Sequence, residues 1–223
     1  MFTIFSKFGV MNFENNLAFA RNMDHQDPIG HLRDQFLFPK QNDKPFIYLC
    51  GNSLGLQPKV AREVISQQLS NWENLAVEGW FEGDDPWMFY HKSLKKLMAP
   101  IVGASPEEVC PMNTLTVNLH LLMVSFYKPS GTRFKIIMEA GAFPSDQYAI
   151  ESQVRFHGFD PNEAIIEVAP RQGEYTLRTE DIMAAIEENG NEIALVLFGG
   201  VNYFTGQFFD NLGLSSTAHT RYR

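Results

Sequence analysis

FKIIMEAGAFPSDQYAIESQVRFHG, residues 134–158, is the stretch whose reading decides the fold. FKIIM has the β-branched, apolar character of a buried strand, and QYAIESQVRFHG can carry a helix. Between them lies a turn that holds an aromatic residue, a proline and a carboxylate side by side. Downstream the same alternation continues: AIIEVAP (164–170) reads as strand, TEDIMAAIEENG (179–190) as helix and EIALVLFGGV (192–201) as strand. Upstream, EEVCPM (107–112) is a candidate strand and NTLTVNLHLLMVSFY (113–127) a helix apolar on nearly every side. Alternating β and α segments with continuously apolar strands predict an α/β fold, a three-layer, mostly parallel sheet with helices on both faces. Such sheets bind ligands beyond the carboxyl ends of their strands, where the opening turn falls.

The preceding part of the chain has another texture. DPIGHLRDQFLF (27–38) pairs Leu32 with Phe36 at i,i+4, predicting a short amphipathic helix ending before Pro39. KPFIYLCGNSLGLQP (44–58) reads as a short strand entering a glycine-bearing loop. Ala61, Ile65, Leu69 and Trp72 then recur at helical spacing, predicting a long helix with one buried face. Another helix is expected from near His91, bending or ending around Pro100. The expected organisation is therefore an N-terminal helical segment with substrate-side loops over 1–104, a ligand-binding α/β part over 105–210, and a polar tail without periodicity over 211–223.

At 223 residues the chain can bury a real core. A net charge of −8 with scattered Lys and Arg argues against nucleic acid as a partner and favours a small-molecule substrate. Cys50 and Cys110 follow no metal or disulfide spacing, and two thiols in a chain of this size suit a reducing compartment. The N-terminus lacks a sustained apolar run and a small-residue cleavage site, and no apolar stretch is long enough for a membrane span, so a cytoplasmic protein is expected. No His, Cys, Asp and Glu cluster has metal spacing.

Two turns could carry chemistry. Asn113, Thr114 and Thr116 open a helix, where unpaired amide N–H groups and a positive dipole end could receive a phosphate; plain N-capping is the alternative. In the second turn, Pro144 fixes φ, Ser145 or Asp146 could cap the helix, and Phe143 could be core. The functional reading is that the Phe143 ring stacks on a planar cofactor while a carboxylate meets its polar edge. Taken together, the turns describe a pyridoxal phosphate pocket. The loop GNSLGLQP (51–58) lacks a P-loop lysine but could present Ser53 to a ligand. GWFEGDDPW (79–87) places Trp80, Phe81 and Trp87 either as a wall for an aromatic substrate or as subunit packing. His120, on the apolar helix, reads as a satisfied core histidine.

The segments YLCGNSLGLQPK (48–59), PMNTLTVNLHLLMVSFYKP (111–129), EAGAFPSDQYAIESQ (139–153), PRQGEYTLRTEDI (170–182) and LFGGVNYFTGQFFD (197–210), in this order, resemble kynureninase, a fold-type I pyridoxal phosphate-dependent family. The resemblance implies a fold-type I sheet, incomplete here, in an enzyme that is a homodimer when full length. It implies hydrolysis of a C–C bond in a ketone: L-kynurenine to anthranilate and L-alanine, and 3-hydroxykynurenine to 3-hydroxyanthranilate, in tryptophan catabolism and NAD biosynthesis. By motif position, Leu115 and Thr116 hold the cofactor phosphate and Phe143 stacks on the pyridine ring. Pro144, Ser145 and Asp146 complete that turn, Gly199 stands near the cofactor where many animal members have serine, and Ser53 and Trp80 fall where members line the substrate pocket.

The resemblance ends at Asp210. The family's pyridine-pairing aspartate and Schiff-base lysine have no counterpart among these residues, and Lys92, Lys95, Lys96, Lys128 and Lys135 read as solvated charges. The chain alone is therefore expected to be inactive. A non-catalytic short form that associates with full-length subunits is the alternative.

Overall fold

The computed structural model describes residues 13–210 and residue 213. The N-terminal residues read above for a signal, and the tail apart from Gly213, lie outside the described residues. Two compact units divide the chain at Tyr90 and His91.

The first unit opens with α1 (Leu17–Gln26), whose N-cap Asn16 accepts a hydrogen bond from the Phe19 amide at 2.8 Å. The helix expected around Leu32 is instead a 3₁₀ turn, Gly30–Gln35. It is cut short because Phe36 joins a strand: β1 (Phe36–Leu37) pairs antiparallel with β4 (Gln57–Pro58). Between them, β2 (Lys40–Gln41) and β3 (Lys44–Pro45) form a hairpin. Its two turn residues, Asn42 and Asp43, have φ of 50° and 59°, the left-handed pair that a two-residue hairpin demands. The strand expected through Phe46–Cys50 does not form; only residues 44–45 pair. Helix α2 (Ala61–Leu75) follows as its periodicity predicts. Its apolar side is not buried, and Ile65, Leu69 and Trp72 stay more than half exposed.

All the buried apolar side chains among the described residues belong to the second unit. Helix α3 (Tyr90–Val102) begins at the junction and runs through Pro100, which sits in its last turn. The strand expected at residues 107–112 is replaced by a 3₁₀ turn, Pro106–Glu108. There Glu108 accepts from both the amide and the hydroxyl of Ser105, a reciprocal capping box that competes with extended pairing, and these bonds lower the Glu108 pKa. Then come α4 (Leu115–Phe126), β5 (Lys135–Glu139), α5 (Pro144–Phe156), the short α6 (Pro161–Ala164), β6 (Ile165–Val168), α7 (Thr179–Asn189) and β7 (Ile193–Leu197).

The three longer strands form one parallel sheet in the order β6-β5-β7, with Ile137 facing Ile166 on one side and Val196 on the other. Side chains alternate across it as a pleated strand requires. Ile136 and Met138 of β5 pack with Met123 and Tyr127 from α4 and with Ile150 and Val154 from α5. Ile137, between them, points the other way and packs with Ile182 and Ile186 of α7. Helices therefore cover both faces, the α/β arrangement expected from the continuously apolar strands. Tyr127 is 1% exposed, its hydroxyl donating to the Phe134 carbonyl at 2.7 Å, and burial raises its pKa.

Candidate functional site at the carboxyl edge of the sheet

Helices α4 and α5 lie side by side. His120 and Gln153 are hydrogen-bonded at 2.8 Å, and the Tyr127 and His157 rings meet T-shaped at 5.1 Å. The contacts advance in the same direction along both helices, so α4 and α5 run parallel. Helix α5 starts just beyond the carboxyl end of β5, and both N-termini therefore point to that edge. Counting back from the His120 and Gln153 contact, α4 begins about one turn, or ~6 Å, short of α5. His120 is thus the half-buried, satisfied histidine that its apolar helix suggested.

The N-terminus of α4 is prepared by its own chain. Asn113 takes φ of 47°, its side chain donates to Asn118 at 3.1 Å, and Asn118 donates back to the Met112 carbonyl at 2.7 Å. Thr114 is the N-cap residue, yet its side chain makes no capping bond. The amides of the first turn, which carries Leu115 and Thr116, are therefore left without a side-chain cap. Leu115 is exposed and Thr116 half-buried.

At α5 the helix starts two or three residues earlier than its candidate caps, Ser145 and Asp146, suggested. Phe143 is the N-cap position and Pro144 the first helical residue, which needs no N–H there. Ser145 and Asp146 consequently lie within the first turn rather than capping it, the Ser145 hydroxyl 3.4 Å from an Asp146 oxygen. A carboxylate there faces the positive end of the helix dipole. Phe143 is 48% exposed and meets Tyr203 T-shaped at 5.1 Å.

Gly199 and Gly200 follow the carboxyl end of β7, next to β5. A Cβ at Gly199 would lie 4.0 Å from Glu139 Oε1, so this turn is close to the last residue of the central strand. The segment then folds back, with Val201 bridging Phe208 and the buried Phe209 donating its amide to the Gly200 carbonyl. Asn202 Nδ2 donates to Glu139 Oε2 at 2.7 Å. Sequence reading missed both residues, although the asparagine before the TG turn is the kind of side chain that nucleates such turns.

Phe143, Pro144, Ser145, Asp146 and Gly199 are thus brought to the carboxyl ends of β5 and β7, and the turn carrying Leu115 and Thr116 opens at the same edge. Ser53 and Trp80 belong to the first unit. Ser53 sits in an exposed turn closed by its own amide to the Cys50 carbonyl at 3.0 Å. Trp80 packs T-shaped on Trp87 at 5.9 Å, and Trp87 donates to Gln68 at 2.9 Å. Gly79 has no alternative there, since a Cβ would fall 2.9 Å from the Trp87 ring. Trp87 also lines an apolar groove of about 410 Å³ with Val64, Ile65, Leu69, Trp72 and Tyr90.

Lys128 follows the C-terminal end of α4, and Lys135 begins β5, where it is ion-paired with Glu192. Both therefore leave at the amino end of the sheet, away from the candidate site. No described helix is long and apolar enough to cross a membrane.

An uncapped helix N-terminus, an exposed aromatic ring and a first-turn carboxylate thus lie at one edge of a parallel sheet in an α/β protein, the edge at which such sheets bind ligands. Comparison with known proteins makes this specific. The chain is 56% identical over 209 residues to a kynureninase of Christiangramia forsetii, covering 94% of the chain and 49% of that protein. It is 55% identical over 210 residues to one of Myxococcus xanthus, covering 94% and 49%, and 53% identical over 215 residues to one of Nematostella vectensis, covering 91% and 46%. Over these residues the chain is similar to kynureninases. It spans about half the length of the curated relatives it matches. No family model matches it.

Proposed function

We propose that these residues build the cofactor-binding part of a pyridoxal phosphate-dependent hydrolase that cleaves L-kynurenine to anthranilate and L-alanine and acts likewise on 3-hydroxykynurenine. The observation that carries this reading is the pair of parallel helix N-termini at the carboxyl edge of the sheet, beside an exposed Phe143 ring, in a chain similar to kynureninases. The residues fit the cofactor. Uncapped amides on the first turn of α4, with Leu115 and Thr116, suit its phosphate, and the Phe143 ring offers a stacking plane. Pro144 and Ser145 set the turn, Asp146 would meet the polar side of the cofactor ring, and Gly199 would leave room beside it.

When bound, pyridoxal phosphate supplies an electron sink that makes the substrate's carbon bonds labile. This chain's residues anchor and orient that group. Ser53 and Trp80 are the proposed substrate contacts, by motif position. The proposed assembly is a cytoplasmic homodimer in a fold-type I enzyme, and the exposed apolar sides of α2 and α4 are surfaces that such assembly can cover. As an isolated polypeptide, residues 1–223 are proposed to be inactive, since Lys128 and Lys135 leave at the amino end of the sheet and cannot present an amine at its carboxyl edge.

The test is anthranilate fluorescence on adding L-kynurenine and pyridoxal phosphate, run on residues 1–223 alone and on a full-length protein containing them. Turnover by the full-length protein only is expected; turnover by neither refutes the activity, and robust turnover by residues 1–223 alone refutes their inactivity. The same exposed faces favour one second reading, a non-catalytic form that associates with full-length subunits. Failure to co-purify with a tagged full-length subunit at micromolar concentration sinks that reading.

A further inference from the structure

We propose that Asn202 is the positioning residue that fixes the Phe143 and Tyr203 rings as one aromatic corner; the proposal rests on the pyridoxal phosphate reading of this edge. Phe143 and Tyr203 are 48% and 44% exposed, so burial does not lock either ring. What relates them is the path of the chain after β7, and Asn202 holds that path at both ends of its side chain. Its Oδ1 accepts from the Phe204 amide at 2.9 Å, the Thr205 amide at 2.8 Å and the Thr205 hydroxyl at 3.0 Å. Its Nδ2 donates to Glu139 Oε2 at 2.7 Å. Its backbone amide donates to the Gln207 carbonyl at 2.8 Å, and its carbonyl accepts from the Gly206 amide at 3.0 Å.

Glu139 is the last residue of β5, four positions before Phe143. The clasp therefore ties the exit of β7, which carries Tyr203, to the exit of β5, which carries Phe143. The resulting ring pair is nearly perpendicular, at 5.1 Å and 87°. Only a side-chain amide can accept from the turn with its oxygen and donate to a carboxylate with its nitrogen. An aspartate would keep the accepting half and set two carboxylates against each other. A planar cofactor stacking on Phe143 needs a fixed ring plane, and the clasp supplies it.

The experiment compares wild type, Asn202→Asp, Glu139→Leu and the double variant Asn202→Asp with Glu139→Gln, the last restoring a donor opposite the new carboxylate. Two readouts are taken from the full chain: the ring-current shift of the Tyr203 NMR signals without ligand, and the circular dichroism and affinity of added pyridoxal 5'-phosphate. Asn202→Asp and Glu139→Leu are expected to move the Tyr203 shift towards that of free tyrosine and to weaken cofactor binding about tenfold, with reduced induced ellipticity. The double variant is expected to recover both.

Unchanged Tyr203 shifts in both single variants, or a loss that the double variant fails to recover, overturn the proposal. If wild type gives no induced ellipticity with saturating cofactor, the cofactor reading fails while the Tyr203 shifts still decide whether the clasp exists.

Discussion

Replacing Phe143 by alanine separates binding from folding. The side chain is 48% exposed and makes one aromatic contact, with Tyr203. Full burial of a phenylalanine is worth about 1.5–3 kcal/mol, so its half-buried ring contributes about 1 kcal/mol. The Tyr203 pair adds roughly 0.5–1.5 kcal/mol. Stability should therefore fall by about 2 kcal/mol, at the low end of what Ile150→Ala, at full burial, should cost (about 2–5 kcal/mol). Stacking of a flat heteroaromatic ring on an aromatic side chain is worth roughly 1–3 kcal/mol, so pyridoxal phosphate affinity should drop between about 5-fold and 150-fold. Phe143→Leu, which keeps apolar volume without the ring face, should fall between wild type and alanine. Equilibrium titration with the cofactor, paired with urea unfolding, measures both quantities. Cofactor affinity within twofold of wild type in a folded Phe143→Ala chain refutes the stacking role.

Tyr127→Phe removes a buried hydrogen bond and strands the Phe134 carbonyl, which should cost about 1–3 kcal/mol by urea unfolding. Burial raises the Tyr127 pKa above its ordinary value of 10.0, so its contribution to stability is complete below pH 10 and is lost as pH rises from there through the folded-state value. Comparing wild type with the Tyr127→Phe chain across that range should show a steeper alkaline loss in wild type. At the other extreme, the hydrogen bond from Arg171 holds the Asp181 carboxyl below its ordinary 3.8, and that from Arg178 holds Glu174 below 4.5. Arg171→Ala should move the Asp181 carbonyl titration, followed by carbon NMR, back up towards 3.8. Gly199→Ser should be tolerated, because its Cβ would meet the Val201 carbonyl oxygen at 3.6 Å and Glu139 at 4.0 Å, both ordinary contacts. A change beyond about 0.5 kcal/mol in urea unfolding contradicts that packing.

The sheet was legible because β7 is apolar throughout, β5 carries the apolar run Ile136–Met138 and β6 is broken only by Glu167, as near-continuous buried parallel strands require, and because helical periodicity separates them. Residues 107–112 misled because a local capping box between Ser105 and Glu108 outcompetes extended pairing, and Val109 and Cys110 offer too short an apolar run to resist it. Phe36 looked helical beside Leu32, but pairing opposite Pro58, a contact distant in sequence, draws it into a strand. The apolar side of α2 was readable as a stripe, yet periodicity carries no information on what covers it; Trp72 is 66% exposed. In the site, Phe143 and Asp146 stood out by residue type in a strand-to-helix turn. Asn202 did not, since its role depends on Glu139, 63 positions away, and on a parallel register that brings β7 beside β5.

The most direct measurement is a titration of the purified chain with pyridoxal 5'-phosphate against pyridoxal, read by absorbance and followed by borohydride reduction and peptide mapping. The expected result is saturable binding that weakens markedly without the phosphate, and no lysine carrying a stoichiometric adduct. Equal binding of the two compounds would contradict the proposed phosphate site at α4, and a stoichiometric adduct at one lysine would contradict the proposed inactivity of residues 1–223 alone.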